Sequence, residues 1–93
     1  MKFSVEYPLI DLTATGVNIK RIRKAKGFKV REVSEFMGFE QPQAVYKWEA
    51  GKCLPSLDNL LAISVLFGVK IDDILVRVGR DVILLWRKLA FCD

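Results

Sequence analysis

Apolar residues recur at helical spacing through most of this chain, in short segments separated by Gly and Pro. Ile19, Ile22 and Ala25 recur three apart and predict a first helix, with Thr15 or Asn18 as its N-cap and Gly27 as its stop. Val30, Val33, Ser34 and Met37 fall at i, i+3, i+4 and i+7. That spacing predicts a second helix over 30–37, ended by Gly38, which permits a tight turn. Phe39 is the apolar anchor of that turn. Pro42 suits the first position of a third helix over 42–49. Val45 and Trp48 then lie on one side of it, with Gln43, Tyr46 and Lys47 roughly opposite. Ser56 is the expected N-cap of a fourth helix that runs to about Phe67 and stops at Gly68. Leu57, Leu60, Leu61 and Ser64 line one face of it, while Ile63 and Leu66 point largely the other way. A fifth short helix is expected from Ile71 to Val76, capped from Asp72 or the residues before it.

The two ends read differently. Phe3, Val5, Tyr7 and Leu9 alternate with Lys2, Ser4 and Glu6, a weak strand signal that Pro8 limits to an edge or an extended arm. At the other end, Val82, Leu85, Trp86 and Leu89 keep i, i+3, i+4, i+7 spacing, with Leu84 and Phe91 as a second stripe. The competing reading is a hairpin in which Ile74–Val78 turns at Gly79-Arg80 into Val82–Trp86. Helix is the preferred assignment. The expected organisation is therefore all-α: an N-terminal arm over 1–15, a helical bundle over 16–77 and an apolar tail over 78–93.

Helix four is apolar on both sides, which asks for burial on both. A homodimer built from helix four and the tail would supply it, through Ile63, Leu66, Val82, Leu85, Trp86 and Leu89. A tail folded over its own bundle is the alternative. A membrane-surface helix is disfavoured, because Arg80, Arg87 and Lys88 are few for anionic lipid.

Composition narrows the chemistry. Of 93 residues, 52% are apolar and 28% charged, which fits one ordered domain rather than a disordered chain. Histidine is absent, removing the commonest general base and metal ligand together. Cys53 and Cys92 stand too far apart for a metal clip and read as reduced thiols. No metal or cofactor is implied. No Gly-rich phosphate loop or paired carboxylates are present, so an enzyme is not expected. The N-terminus has no apolar stretch of signal-peptide length, and the longest apolar run near the C-terminus is Val82 to Trp86. The expectation is a soluble, cytoplasmic protein.

Charge placement then matters more than the net charge of +4. Lys20, Arg21, Arg23, Lys24, Lys26, Lys29 and Arg31 put seven basic residues within twelve, with no acid among them. Such a field suits phosphate. It stands beside a helix, a Gly turn and a second helix over 30–49, the pattern of a helix-turn-helix. That arrangement presents its second helix to the major groove. Gln43, Tyr46 and Lys47, with Gln41 just before the helix, are the candidate base readers. Gln pairs bidentately with adenine, and Lys with guanine. Lys29, Arg31, Lys52 and Arg21 are the candidate phosphate contacts. Trp48 reads as core, and Glu49 as a structural acceptor of backbone N–H groups near the start of helix four.

From about Asp11 to Val76 the chain resembles Cro/phage-repressor-type regulators, the xenobiotic-response-element (XRE) group. The resemblance is carried by Asn18-Ile19-Lys20-Arg21-Ile22-Arg23, Gly27, and Val33-Ser34-Glu35-Phe36-Met37-Gly38-Phe39. It continues through Val45-Tyr46-Lys47-Trp48-Glu49-Ala50-Gly51-Lys52, Pro55-Ser56-Leu57-Asp58-Asn59-Leu60 and Val69-Lys70-Ile71-Asp72-Asp73-Ile74-Leu75. It implies a five-helix, lambda-repressor-like bundle that binds operator DNA, usually as a dimer, with 42–49 as recognition helix. Three positions depart from the family pattern. Val30 stands where the family often carries a phosphate-touching Gln that also braces the recognition helix. Ser34 stands where Ala is common, and is small enough to keep the helix crossing. The turn from Gly38 to Gln43 is one residue longer than the common form, which leaves open whether Gln41 or Gln43 reaches a base. It also puts Glu40 close to the expected phosphate path.

The resulting expectation is a sequence-specific regulator of double-stranded DNA. It would act as a repressor, a homodimer on a palindromic operator, with recognition helices about 34 Å apart. The alternative is a protein-interaction module or antitoxin-like partner that uses the apolar tail, with DNA binding secondary.

Overall fold

A computed structural model describes residues 7–79. Within them the chain forms five helices: α1 (Leu12–Ala25), α2 (Val30–Met37), α3 (Gln43–Glu49), α4 (Leu57–Phe67) and α5 (Ile71–Ile74). The all-α expectation holds. The tail and the arm to residue 6, with Val82, Leu85, Trp86 and Leu89, lie outside the described residues.

Local chemistry explains most of the boundaries. Gly38 closes α2 in the left-handed region at φ 78°, and the Phe39 N–H donates to the Ser34 carbonyl. Ser56 caps α4, its hydroxyl accepting from the Asn59 N–H at 3.3 Å. At the starts of α2 and α5, Glu32 and Asp73 reach back to the Lys29 and Lys70 N–H groups at 2.9 and 3.2 Å. The fifth helix is a single turn, shorter than the expected span to Val76.

The start of α1 differs from expectation. Asp11 is the cap, its carboxylate accepting from the Ala14 N–H at 2.9 Å. Thr15 and Asn18 make long-range bonds instead. The Thr15 hydroxyl accepts from the Val76 N–H at 3.0 Å, and the Asn18 amide donates to the Asp73 and Ile74 carbonyls. They fasten the end of the bundle to its beginning. Leu9 and Ile10 extend this seam, because Ile10 lies antiparallel to Arg77 and the Val78 N–H donates to the Leu9 carbonyl at 2.8 Å.

A continuous core joins Ile19 and Ile22 of α1, Val30 and Val33 of α2, and Val45 and Trp48 of α3 to Leu60, Ile63, Phe67 and Ile74. The closest approach is between α1 and the end of α3. A Cβ built on Gly16 would stand 2.4 Å from the Trp48 carbonyl oxygen. Gly51, at φ 73°, lies equally tight against the backbone of Thr13.

In α4 the buried stripe is Leu60, Ile63, Ser64 and Phe67, again i, i+3, i+4, i+7. Ile63, expected at a dimer interface, is instead fully buried in the core. Leu66 is partly buried against the same core. The open stripe is Leu57, Leu61 and Val65, four residues apart, with Leu57 78% exposed. With apolar residues all round this helix, its sequence carries little directional signal, and only packing decides the phase.

Candidate nucleic-acid interface

The turn Gly38–Pro42 joins α2 to α3. Phe39 sets its edge against the Trp48 ring, with centroids 5.9 Å apart. The Ser34 hydroxyl donates to the Gln41 carbonyl at 3.1 Å. Val45 and Trp48 turn inward, and both are buried. Gln43, Tyr46 and Lys47 therefore face out, at the i, i+3, i+4 spacing of a single helix face. Tyr46 is 57% exposed, so its ring is not part of the core.

The outer face of α3 is slightly concave. Gln43, Tyr46, Lys47, Ala50 and Lys52 line a shallow depression of about 230 Å³. Three expected base readers and one expected phosphate contact thus meet on one surface. Gln41 lines a neighbouring depression with Arg31, Ser34, Glu35 and Glu40. Lys29 is exposed at the start of α2. Val30 is buried in the first turn of α2, so this position packs the core and offers no phosphate clamp.

Arg21 stands apart from this group. Its Nε and Nη2 donate to the Asn18 side-chain oxygen at 3.1 and 2.7 Å, on the side of α1 that holds α5. Arg23 leaves the basic field altogether. Its guanidinium grips Glu49 through Nε and Nη2 at 2.6 and 3.1 Å, and Nη1 donates to the Phe28 carbonyl. Both side chains are more than nine-tenths buried. Glu49 is structural as expected, but its partner is this guanidinium and not backbone N–H groups at α4. The bidentate pair fixes the end of α3 to α1. Its signal was present in the sequence: Arg23 follows Leu12, Thr15, Gly16 and Ile19 on the inward stripe of α1.

The exposed cations Lys20, Lys24, Lys26, Lys29, Arg31, Lys47 and Lys52 remain. The surface therefore combines amide, phenol and ammonium groups on a helix held from behind, with positive charge around it. Such a surface can hydrogen-bond base edges and neutralise phosphates.

Comparisons with known proteins agree with this geometry. The helix-turn-helix family model matches residues 19–74, more than half of the chain. A prophage-derived (SPbeta) uncharacterized HTH-type transcriptional regulator, YonR of Bacillus subtilis (strain 168), is 33% identical over 60 residues. The match takes in 64% of this chain and 55% of that regulator, so the chain spans about half its relative's length. Among solved structures, the clp gene regulator ClgR from C. glutamicum superposes with a TM-score of 0.61 at 25% identity, over 73% of this chain and 86% of that one. The restriction-modification controller protein C.AhdI from Aeromonas hydrophila shares the fold, with a TM-score of 0.62 at 23% identity, over 69% and 96%. No helix among the described residues is long and apolar enough to cross a membrane.

Proposed function

As a member of the helix-turn-helix family of XRE-type DNA-binding transcriptional regulators, this chain, we propose, reads a palindromic operator as a homodimer and represses from it. The observation that carries this reading is the outer face of α3, where Gln43, Tyr46 and Lys47 stand exposed on a helix whose inner face is locked. Laid in the major groove, that face offers Gln43 to adenine and Lys47 to guanine. Gln41 reads from the turn. Lys29, Arg31 and Lys52 flank α3 and meet phosphates, fixing register without reading sequence. Arg21 is assigned to bracing α5 through Asn18.

The exposed stripe Leu57, Leu61 and Val65 supports the homodimer, since a row of open apolar side chains on one helix favours burial against a second copy. Two copies related by a two-fold axis would place their α3 helices about one DNA turn apart, which a palindrome matches. Occupying such a site blocks access to it, the simplest route to repression. The work is binding and not catalysis, and its place is the cytoplasm, where a prokaryotic operator lies.

The same stripe favours a second reading, a module that binds another protein and touches DNA weakly. A salt titration separates the two. A regulator with six or more phosphate contacts loses affinity by about 10³–10⁵ between 50 and 200 mM salt. Weak binding with a shallow salt slope would contradict the regulator reading and direct attention to a protein partner.

A further inference from the structure

We propose that Ser34 is a positioning residue for sequence reading: its hydroxyl pins the long turn before α3 and so fixes where Gln41 and Gln43 stand. The inference rests on the operator-reading role proposed above. Ser34 lies on the inward face of α2 and is 4% exposed. Its hydroxyl reaches across seven residues of chain to the Gln41 carbonyl, at 3.1 Å.

That carbonyl is a sensitive place to hold. It belongs to the peptide bond that carries the Pro42 nitrogen, so fixing it orients the plane from which α3 starts. Pro42 has a ring-restricted φ, and the residue before a proline is confined to extended conformations. With the plane held, little freedom remains between Gln41 and Gln43. Few other bonds restrain this stretch. The Gly38 and Phe39 N–H groups close the end of α2, and the next backbone bond runs from Tyr46 to Pro42, inside the first turn of α3. Between them stand the Phe39 ring on Trp48 and the Ser34 hydroxyl.

The hydroxyl thus does something a bare methyl could not. An Ala at position 34 would satisfy the close crossing of α2 and α3. It would leave the Gln41 carbonyl without its partner and the turn free to vary. Sequence reading depends on bidentate geometry, which a wandering turn degrades, whereas phosphate contacts from Lys29, Arg31 and Lys52 tolerate it.

The test uses the full chain and its Ser34→Ala variant. A selection from random duplex DNA with the wild type first defines the preferred site. Affinities are then measured for that site and for its single-base variants. We expect Ser34→Ala to lose about tenfold in discrimination, at the positions that Gln41→Ala and Gln43→Ala also affect, with the salt slope unchanged. Backbone order parameters of the free variant should fall at Glu40 and Gln41 and stay constant in α4. A purely structural role for Ser34 would lower the melting temperature and leave discrimination intact. That result would overturn the inference alone. A wild-type chain that enriches no sequence would overturn the regulator reading, and this inference with it.

Discussion

On the inner face of α3, Trp48 keeps only 4% of its surface exposed, while on the outer face Tyr46 keeps 57%. The inner face is held by the core, by the close approach of Gly16 and by the Arg23–Glu49 pair. Among the described residues, the outer side chains Gln43, Tyr46 and Lys47 make no hydrogen bond within the chain. Two sides of one short helix thus divide the work. One spends its chemistry on holding position, and the other keeps its donors and acceptors open for a ligand. Substitutions on the two sides should therefore fail in different assays.

The largest effect is expected from Glu49→Ala, which strands a buried guanidinium. The loss should be about 3–5 kcal/mol of folding stability. Thermal melting would read this as a fall of at least about 12 °C. Pairing Arg23→Met with Glu49→Leu should restore most of that stability, since an apolar pair of similar volume removes the buried charge. Gly16→Ala comes next. Its Cβ meets backbone carbonyls of Trp48 and Glu49 that cannot swing aside, at 2.4 and 2.8 Å. Overpacking of this kind costs about 1–3 kcal/mol, measurable by urea denaturation.

Gln43→Ala inverts the pattern. Folding stability should stay within about 0.5 kcal/mol of the wild type. Preference for the cognate base should fall by about 1–3 kcal/mol, read by competition binding with single-base variants. Lys29→Gln is the smallest change. It should weaken binding evenly across sequences and lower the slope of log affinity against log salt by about 1. A Gln43→Ala protein that unfolds early, or a Glu49→Ala protein with normal melting, would erase the distinction between the two sides.

Legibility in the sequence followed the range of the interactions. The second helix, its Gly38 stop, the Phe39 anchor and the Ser56 cap are set by residues a few positions apart, and local patterns describe them correctly. Thr15 and Asn18 look like caps locally, yet their partners lie on the far side of the chain, at Val76 and at Asp73 and Ile74. Arg23 hid within a basic run because its partner stands 26 residues away. The phase of α4 was lost for another reason. Leu57, Leu60, Leu61, Ile63 and Val65 are almost equally apolar, so only packing shows that Ile63 is core and Leu57 is open. The outer face of α3 was readable because Val45 and Trp48 define its opposite so plainly. The hydroxyl of Ser34 was seen as small, but its bond to Gln41 needed the folded turn.

The central claim is that α3 reads DNA with its outer face. The direct measurement is a selection from random duplex DNA by the wild type and by the Gln43→Ala, Lys47→Ala double variant. The account predicts an enriched palindrome for the wild type and none for the double variant, with both proteins equally stable to heat. Weak binding without an enriched motif, unchanged by the two substitutions, would contradict it.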